Sequence, residues 1–178
     1  IGAFIAIFFV KLVFGGFGQN IFTPALVGRV VVHLSFSSKL LPYFEGSAVD
    51  ALTSATPAAA YAATNWIGEI NYSLSQLFLG NHGGALGETY TFLIIALGIF
   101  LAWRKVFDSR ITISYVVTCF ILGLIVGFNS GENAFIYAIA QLCIGGLAFG
   151  AVFMLTDPVT SPTSPLGKIL FGMGAGFI

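Results

Sequence analysis

Residues 111–131 of this chain form a long uncharged stretch that consists mainly of apolar side chains. Roughly 20 helical residues cross a hydrocarbon core, so this stretch is long enough to span a membrane. Residues 133–156 form a second uncharged stretch of the same kind. Backbone groups inside a bilayer have no water to bind, and stretches of this length satisfy them as helices. The sequence therefore predicts an all-α membrane protein.

The composition independently indicates the same class. Hydrophobic residues make up 57% of the chain and charged residues 8%, with a mean hydropathy of +0.97. That leaves too few polar residues to cover the surface of a soluble domain. A third span is predicted where Glu88 and Arg104 flank an apolar segment. We expect one polytopic transmembrane bundle over residues 1–178, with spans at about residues 89–105, 111–129 and 133–156.

Other apolar pieces are interrupted and are predicted to be broken or re-entrant helices, at about residues 1–17, 21–36, 57–66 and 164–178. Gly15-Gly16-Phe17-Gly18 ends the first piece, and Pro24 suits the first turn of the second because its missing N–H is not needed there. A polar, proline-rich interruption at residues 157–165 precedes the last piece. Non-helical backbone at membrane depth must be buried in protein or line a wet cavity. The two interruptions therefore predict a site between helices.

The segments TPALVGR at residues 23–29 and SPLGK at residues 164–168 are similar to each other. They indicate an internal repeat, although small residues and prolines also recur by chance in such a composition. Both interpretations remain open from the sequence.

The basic residues Arg104, Lys105 and Arg110 lie together in the short loop between two predicted spans. Short loops rich in Lys and Arg face the cytoplasm. If residues 66–84 stay at one surface, alternation then places residues 50–57 on the outer face, whereas a re-entrant piece at residues 72–80 would change the count. We expect a multi-pass membrane protein.

Residues 50–57 read DALTSATP, a hydroxyl-rich island in apolar surroundings. Pro57 and the alanine-rich residues after it are predicted to begin a helix, whose first N–H groups favour an anion at Thr56. Ser54 and Ala55 leave the Thr56 hydroxyl clear of bulky neighbours, and Thr53 and Ser54 can donate hydrogen bonds to phosphate oxygens. The alternative interpretation is an ordinary capping loop, because hydroxyl residues favour helix N-termini.

Motifs in a fixed order extend this pattern along the chain: GQNIFTPA at residues 18–25, DALTSATP at 50–57, GALGET at 84–89 and TDPVTSP at 156–162. Together they resemble the membrane flavoprotein subunit shared by two ion-pumping redox complexes, the NqrB/RnfD family. The two complexes are the Na+-translocating NADH:quinone reductase (Nqr) and the Rnf electron transport complex. Thr23 stands where the family usually has Asn, and Ser54 where Gly is commoner.

The resemblance implies a fold akin to urea and ammonium channels, made of two related helical halves. Family members are considerably longer, so we expect this chain to be the C-terminal half of a longer protein. The resemblance also implies that a flavin transferase esterifies FMN through its phosphate to Thr56. Asp50 would assist the metal of that enzyme or fix the loop. A second, noncovalent flavin, riboflavin or FMN, is implied as well, with Asn20 as a hydrogen-bonding partner.

The implied partners are membrane lipid and the other subunits of an Nqr/Rnf-like complex, including an outer-face FMN subunit. The chain carries no dinucleotide-binding fingerprint, so NAD binding is expected on a partner. No nucleic-acid partner is predicted. We expect a redox subunit that is not catalytic alone.

Several polar residues have two interpretations. Arg29 faces a flavin phosphate or extends to lipid headgroups. Glu88 contacts the isoalloxazine or caps a helix, and Asp157 contributes to a cation path or is an interfacial residue at a helix end. Cys119 and Cys143 are predicted to pack in the core, and no metal-binding set is predicted.

Two function classes remain open at this stage. One is the redox subunit that carries FMN on Thr56. The other is a channel or transporter of urea or ammonium type, in which the threonine loop is only a cap. Fold alone does not separate them. The sequence leaves open the ion that is moved, Na+ or H+, and the electron donor and acceptor.

Overall fold

The computed structural model describes residues 1–16, 18–19, 21–36, 43–44, 53–54, 73–80, 82, 89–130 and 133–178. Short strands β1 (Tyr43–Phe44) and β2 (Thr53–Ser54) form an antiparallel pair. The remaining regular structure in these ranges is helical, which confirms the all-α prediction at the level of fold class. In chain order the helices are α1 (Gly2–Phe4), π-helix π1 (Ile5–Leu12), α2 (Pro24–Ser35), α3 (Leu74–Leu79), α4 (Thr91–Trp103), α5 (Ser109–Ser130), α6 (Ala134–Cys143), α7 (Leu147–Phe149), π-helix π2 (Gly150–Met154) and α8 (Pro165–Phe177).

Helix α5 is the longest, and its 22 residues extend about 33 Å, which matches the thickness of a hydrocarbon core. Within the described residues, Ser109–Asn129 is the one helix long and apolar enough to cross a membrane. The bent pair formed by Ala134–Cys143 and Leu147–Met154 passes the same test as a unit. Helix α4 has 13 residues and is shorter than a straight crossing requires. The polytopic bundle, its three spans and the channel-like architecture stay predictions.

The segment at residues 133–156 is not one straight helix. It bends by 67° between α6 and α7, where Ile144 is extended and Gly145 has a φ of +65°. The bend frees carbonyl groups that a continuous helix would use, and threonines of neighbouring helices donate to this region. The hydroxyl of Thr91 donates to the carbonyl of Cys143 at 3.3 Å, and that of Thr112 donates to the carbonyl of Ala151 at 3.0 Å. These two hydrogen bonds therefore give partners to two backbone carbonyls of the bent segment.

The core lies beside this bend. Its buried cluster consists of Leu77, Tyr137, Ala140, Cys143 and Ile144. The structure thus places Cys143 in the core, as the sequence predicts. Cys119 is half-buried on α5, and its thiol donates to the carbonyl of Gly176 at 3.7 Å.

Helix α8 packs against the first half of α5 through two glycines. A Cβ added at Gly172 would lie 2.6 Å from the carbonyl oxygen of Ile111 and would also overlap the Ser114 hydroxyl. A Cβ added at Gly176 would lie 3.0 Å from both the Tyr115 carbonyl oxygen and the Cβ of Thr118. Small residues spaced by four let two helix backbones approach closely, which is the usual basis of helix association in membranes. Glycine at these positions therefore sets the distance between α5 and α8.

The second half of α5 uses the same spacing toward α6. A Cβ added at Gly123 would lie 3.0 Å from the Cα of Ala138, and one added at Gly127 would lie 2.8 Å from the Cα of Ala134. Both alanines are buried. Helix α5 is therefore the central helix of this part of the chain, because separate glycine or small-residue contacts fix α8 and α6 against it.

We predict that Gly172→Ala destabilises the full-length protein by about 1–3 kcal/mol, because the added methyl meets backbone of α5 that cannot give way locally. Gly174→Ala is the matched control. It changes the next glycine of the same helix, and an added Cβ there meets nothing within 4 Å. The control should be neutral or slightly stabilising, since alanine favours a helix over glycine. Thermal unfolding in detergent measures both, and equal midpoints for the two variants would contradict the packing argument.

Candidate functional site

The first interruption ends π1 through glycines in a left-handed conformation. Gly15, Gly16 and Gly18 have φ angles of +111°, +90° and +83°. The N–H of Gly16 donates to the carbonyl of Lys11 at 2.9 Å, which closes the last turn of the helix. Residues with a Cβ rarely adopt these angles, so glycine is required for the chain to leave the helix here. These glycines belong to the run at residues 15–18 that is predicted from the sequence to end the first apolar piece.

The second interruption follows π2 and is a hydrogen-bonded turn. The carboxylate of Asp157 accepts from the N–H of Val159 at 3.1 Å, and the Asp157 carbonyl accepts from the N–H of Ser161 at 3.1 Å. Ser164 then caps α8 by accepting from the N–H of Gly167 at 3.1 Å. The Asp157 side chain thus has a local structural role, as in the interpretation of a residue at a helix end. A part of Asp157 in a cation path stays a prediction.

The two interruptions meet. The hydroxyls of Thr23 and Thr160 are 3.2 Å apart and half-buried, although 137 positions separate them in sequence. Thr23 precedes α2 and Ser164 precedes α8, and each helix has a proline in its first turn. The structure therefore brings the two interruptions into contact, and the site between helices stays a prediction. The internal repeat stays a prediction. It is supported by the proline in the first turn of both α2 and α8.

A charged cluster lies at the end of the bundle where α4, α5 and α8 meet. The ammonium of Lys168 is 2.8 Å from Oδ2 of Asp108, and the Oδ1 atom of Asp108 accepts from the N–H of Arg110 at 3.2 Å. The hydrogen bond from Lys168 and then that from Arg110 hold the pKa of Asp108 below its usual value, and the bond from Lys168 has the larger effect. The pair ties the basic loop predicted to be cytoplasmic to the first turns of α8.

The pairing of Asp108 with Lys168 is not predicted from the sequence. Lys168 is the one charged residue after Asp157 in the sequence, and a single lysine in an apolar helix is a signal that it needs a partner. The sequence does not say which acid approaches it, because Asp108 is 60 positions away.

The predicted flavin residues are only partly described. Arg29 is exposed on α2, the helix that Thr23 precedes. Thr53 and Ser54 form β2, whose backbone pairs with β1 so that Phe44 is opposite Thr53 and Tyr43 opposite Ser54. The structure therefore places Thr53 and Ser54, in the middle of the hydroxyl-rich motif, in extended backbone. The predicted site residues that lie outside the described residues are Asn20, Asp50, Ala55, Thr56 and Glu88.

The structure describes the backbone of Thr53 and Ser54 but not Thr56, so the FMN phosphoester at Thr56 stays a prediction.

Among the described residues, no group of three His, Cys, Asp or Glu side chains is placed to hold a metal ion. His82 is buried, with 3% of its surface exposed.

We predict that the Thr23–Thr160 hydrogen bond contributes a coupling free energy of about 0.5–1.5 kcal/mol. A double-mutant cycle with Thr23→Val and Thr160→Val, read as thermal stability of the full-length protein, measures it. The control cycle pairs Thr23→Val with Thr163→Val, a nearby exposed threonine of the same turn, and should be additive. Equal coupling in both cycles would mean that the contact has no specific role.

We predict that protonation of Asp108 destabilises the fold in acid. Its pKa is lower in the folded protein than in the unfolded chain, so its stabilising effect is present above about pH 4 and is lost as the pH falls through the folded value. Asp108→Asn should flatten the dependence of the unfolding midpoint on pH in that range. Lys168→Gln should flatten it too, since it removes the main cause of the lowered pKa. An unchanged slope in both variants would exclude the pair as its source.

Comparison with known proteins agrees with the motifs. The family model described as the NQR2, RnfD, RnfE family matches residues 1–178. An RnfD-type relative from the proton-translocating ferredoxin:NAD(+) oxidoreductase complex of Clostridium ljungdahlii is 35% identical, over 99% of this chain and 55% of that protein. Its counterpart from the Na(+)-translocating ferredoxin:NAD(+) oxidoreductase complex of Acetobacterium woodii is 32% identical, over 100% of this chain and 54% of that protein.

A relative from the second kind of complex is similarly close. The NqrB-type relative from the Na(+)-translocating NADH-quinone reductase of Azotobacter vinelandii is 33% identical, over 93% of this chain and 42% of that protein. The chain spans about half the length of the curated relatives it matches. The resemblance predicted from the motifs is confirmed, and the chain belongs to the NQR2, RnfD, RnfE family.

Proposed function

We propose that this chain is part of a membrane subunit of an ion-translocating electron transport complex and carries FMN covalently on Thr56. The observation that carries the proposal is the family match over residues 1–178, which includes the whole DALTSATP motif. Relatives from both kinds of complex are similar to this chain, and their names describe translocating oxidoreductases. The shared property is a redox-linked membrane subunit, whatever the donor or acceptor.

The flavin supplies the chemistry of this proposal, because it accepts and donates one or two electrons. The chain's own residues hold it. Thr56 provides the ester oxygen, while Thr53 and Ser54 offer hydroxyls to the phosphate. A covalent link suits an electron carrier, since the carrier never has to dissociate during turnover.

The remaining assignments are parts of the same proposal. Asn20 and Arg29 belong to the segments around the first interruption, where a second, noncovalent flavin is expected. Glu88 is expected near the flavin ring, and Asp157 on an ion path at the second interruption. The contact between Thr23 and Thr160 supports these placements, because it brings both interruptions to one place between helices. Non-helical polar backbone between helices is the kind of structure that ion and substrate sites in membranes use.

The partners are assigned by chemistry. An outer-face FMN subunit exchanges electrons with Thr56-bound flavin, a flavin transferase attaches it, and another subunit binds NAD or ferredoxin. The loop with Thr56 is placed on the outer face, opposite the basic loop that contains Lys105, in accordance with the positive-inside rule.

Thr56→Ala tests the attachment. We expect the full-length protein, co-expressed with a flavin transferase, to lose the flavin fluorescence that survives denaturing electrophoresis, because no other atom replaces the ester oxygen. Thr64→Ala is the matched control, since it removes a hydroxyl eight positions later, outside the motif of residues 50–57, and should keep the label. Mass spectrometry of the peptide identifies the modified residue. Fluorescence that persists in Thr56→Ala, or an unmodified Thr56 in the parent protein, would contradict covalent FMN there and favour the channel-type interpretation.

A further inference from the structure

An apolar cavity of about 560 Å³ lies between α4, α5 and the bent segment formed by α7 and π2. Gly98 and Ile99 of α4, Ile113 and Val116 of α5, and Ala148 and Val152 of the bent segment are among its lining residues. The chain bends by 67° just before α7, which lines this cavity. Its volume is in the range of sites for small organic ligands.

A second cavity, of about 690 Å³, adjoins the first at the end of the bundle. Both are lined by Ala102, Phe107 and Ser109, at the junction of α4 and α5. The second cavity is polar. Among the described residues, three basic residues line it and Asp108 is the one acidic lining residue. Its basic and hydroxyl-bearing lining residues are Lys105, Arg110, Lys168, Ser109, Thr156, Ser161 and Thr163.

The charges of this polar cavity do not balance within the described residues. Asp108 pairs with Lys168 at 2.8 Å, while the nearest contact of Arg110 with that carboxylate is 3.9 Å. Lys105 is exposed and makes no ion pair in the described ranges. Two basic groups thus line the cavity with little neutralisation, which favours an anion.

Lys105 occupies a backbone position where glycine is usual. Lys105 lies at the end of α4 and has a φ of +55°. Its N–H donates to the carbonyl of Ala102 at 3.0 Å, and the N–H of Val106 donates to the carbonyl of Leu101 at 3.1 Å. This is the turn that commonly ends a helix with glycine in the left-handed region. A lysine there keeps a positive charge at the junction of the two cavities, in spite of the unfavourable backbone conformation.

We propose that the two cavities form one binding site for an anionic phospholipid. The phosphate lies in the polar cavity near Lys105 and Arg110, and one acyl chain enters the apolar cavity between α4, α5 and α7. A soluble phosphate compound would use only the polar part, and an uncharged lipid would leave the basic residues unmatched. The site is distinct from the Thr56 motif and depends on the membrane location of the chain, not on the flavin.

The charge test uses the full-length protein purified as its complex in mild detergent. Native mass spectrometry and thermal stability report the binding of added phosphatidylglycerol. Lys105→Gln and Arg110→Gln should each weaken this binding about fivefold, since each removes one basic group near the headgroup. Arg104→Gln is the matched control, because Arg104 is an exposed neighbour that does not line either cavity.

The acyl-chain test fills the apolar cavity. Ala148→Leu places a larger side chain in it, whereas Ala96→Leu changes an exposed residue of α4 outside it. We expect Ala148→Leu to reduce retention of phosphatidylglycerol and Ala96→Leu to keep it. Flavin content is recorded for every variant, so a loss of FMN is recognised as a separate event.

Several results would overturn the proposal. Stabilisation by inorganic phosphate equal to that by phosphatidylglycerol would identify a free-anion site. Equal binding of phosphatidylcholine would remove the role of the charges. Unchanged binding in Ala148→Leu, with the polar-cavity variants impaired, would show that no acyl chain enters and that only the headgroup is held at the surface.

Discussion

The close contact of α5 with its two neighbours is the constraint on which the rest of this structure depends. Gly172 and Gly176 of α8 approach the first half of α5, and Gly123 and Gly127 of α5 approach α6. In a bilayer, helices gain little by hiding apolar surface from lipid, so they associate through close packing and hydrogen bonds. Once these contacts fix α6 and α8, the positions of the bend after α6 and of the turn before α8 follow.

An interrupted helix leaves backbone carbonyls without their helical hydrogen-bond partners, and in this fold threonine hydroxyls donate to several of them. Thr91 donates to the carbonyl freed at the end of α6, Thr112 donates to π2, and Thr156 donates to the carbonyl of Val152 at 2.6 Å. Thr23 and Thr160 join the two interruptions to each other. Threonine suits this purpose because its methyl group packs against apolar neighbours while its hydroxyl serves the backbone. These contacts thus use side chains that are uncharged at every pH of interest.

The charged groups are concentrated at the end of the bundle formed by the α4–α5 loop and the start of α8. Asp108 links α5 to α8 through Lys168, and Lys105 and Arg110 leave that end positive. The hydroxyl-rich motif of residues 50–57, which contains β2, is remote in sequence from this end.

The sequence by itself determined the helical class, the family and the two interruptions, because apolar length, motif order and the backbone limits of glycine and proline are local properties. It also contained a sign of the bend at residues 144–146, the pair Gly145-Gly146, which the uncharged length of residues 133–156 obscured. Only the tertiary structure decided that Thr23 meets Thr160, that Asp108 pairs with Lys168 and that a cavity opens beside α7. These depend on distances between helices, which glycine contacts far apart in sequence set jointly and no local pattern specifies.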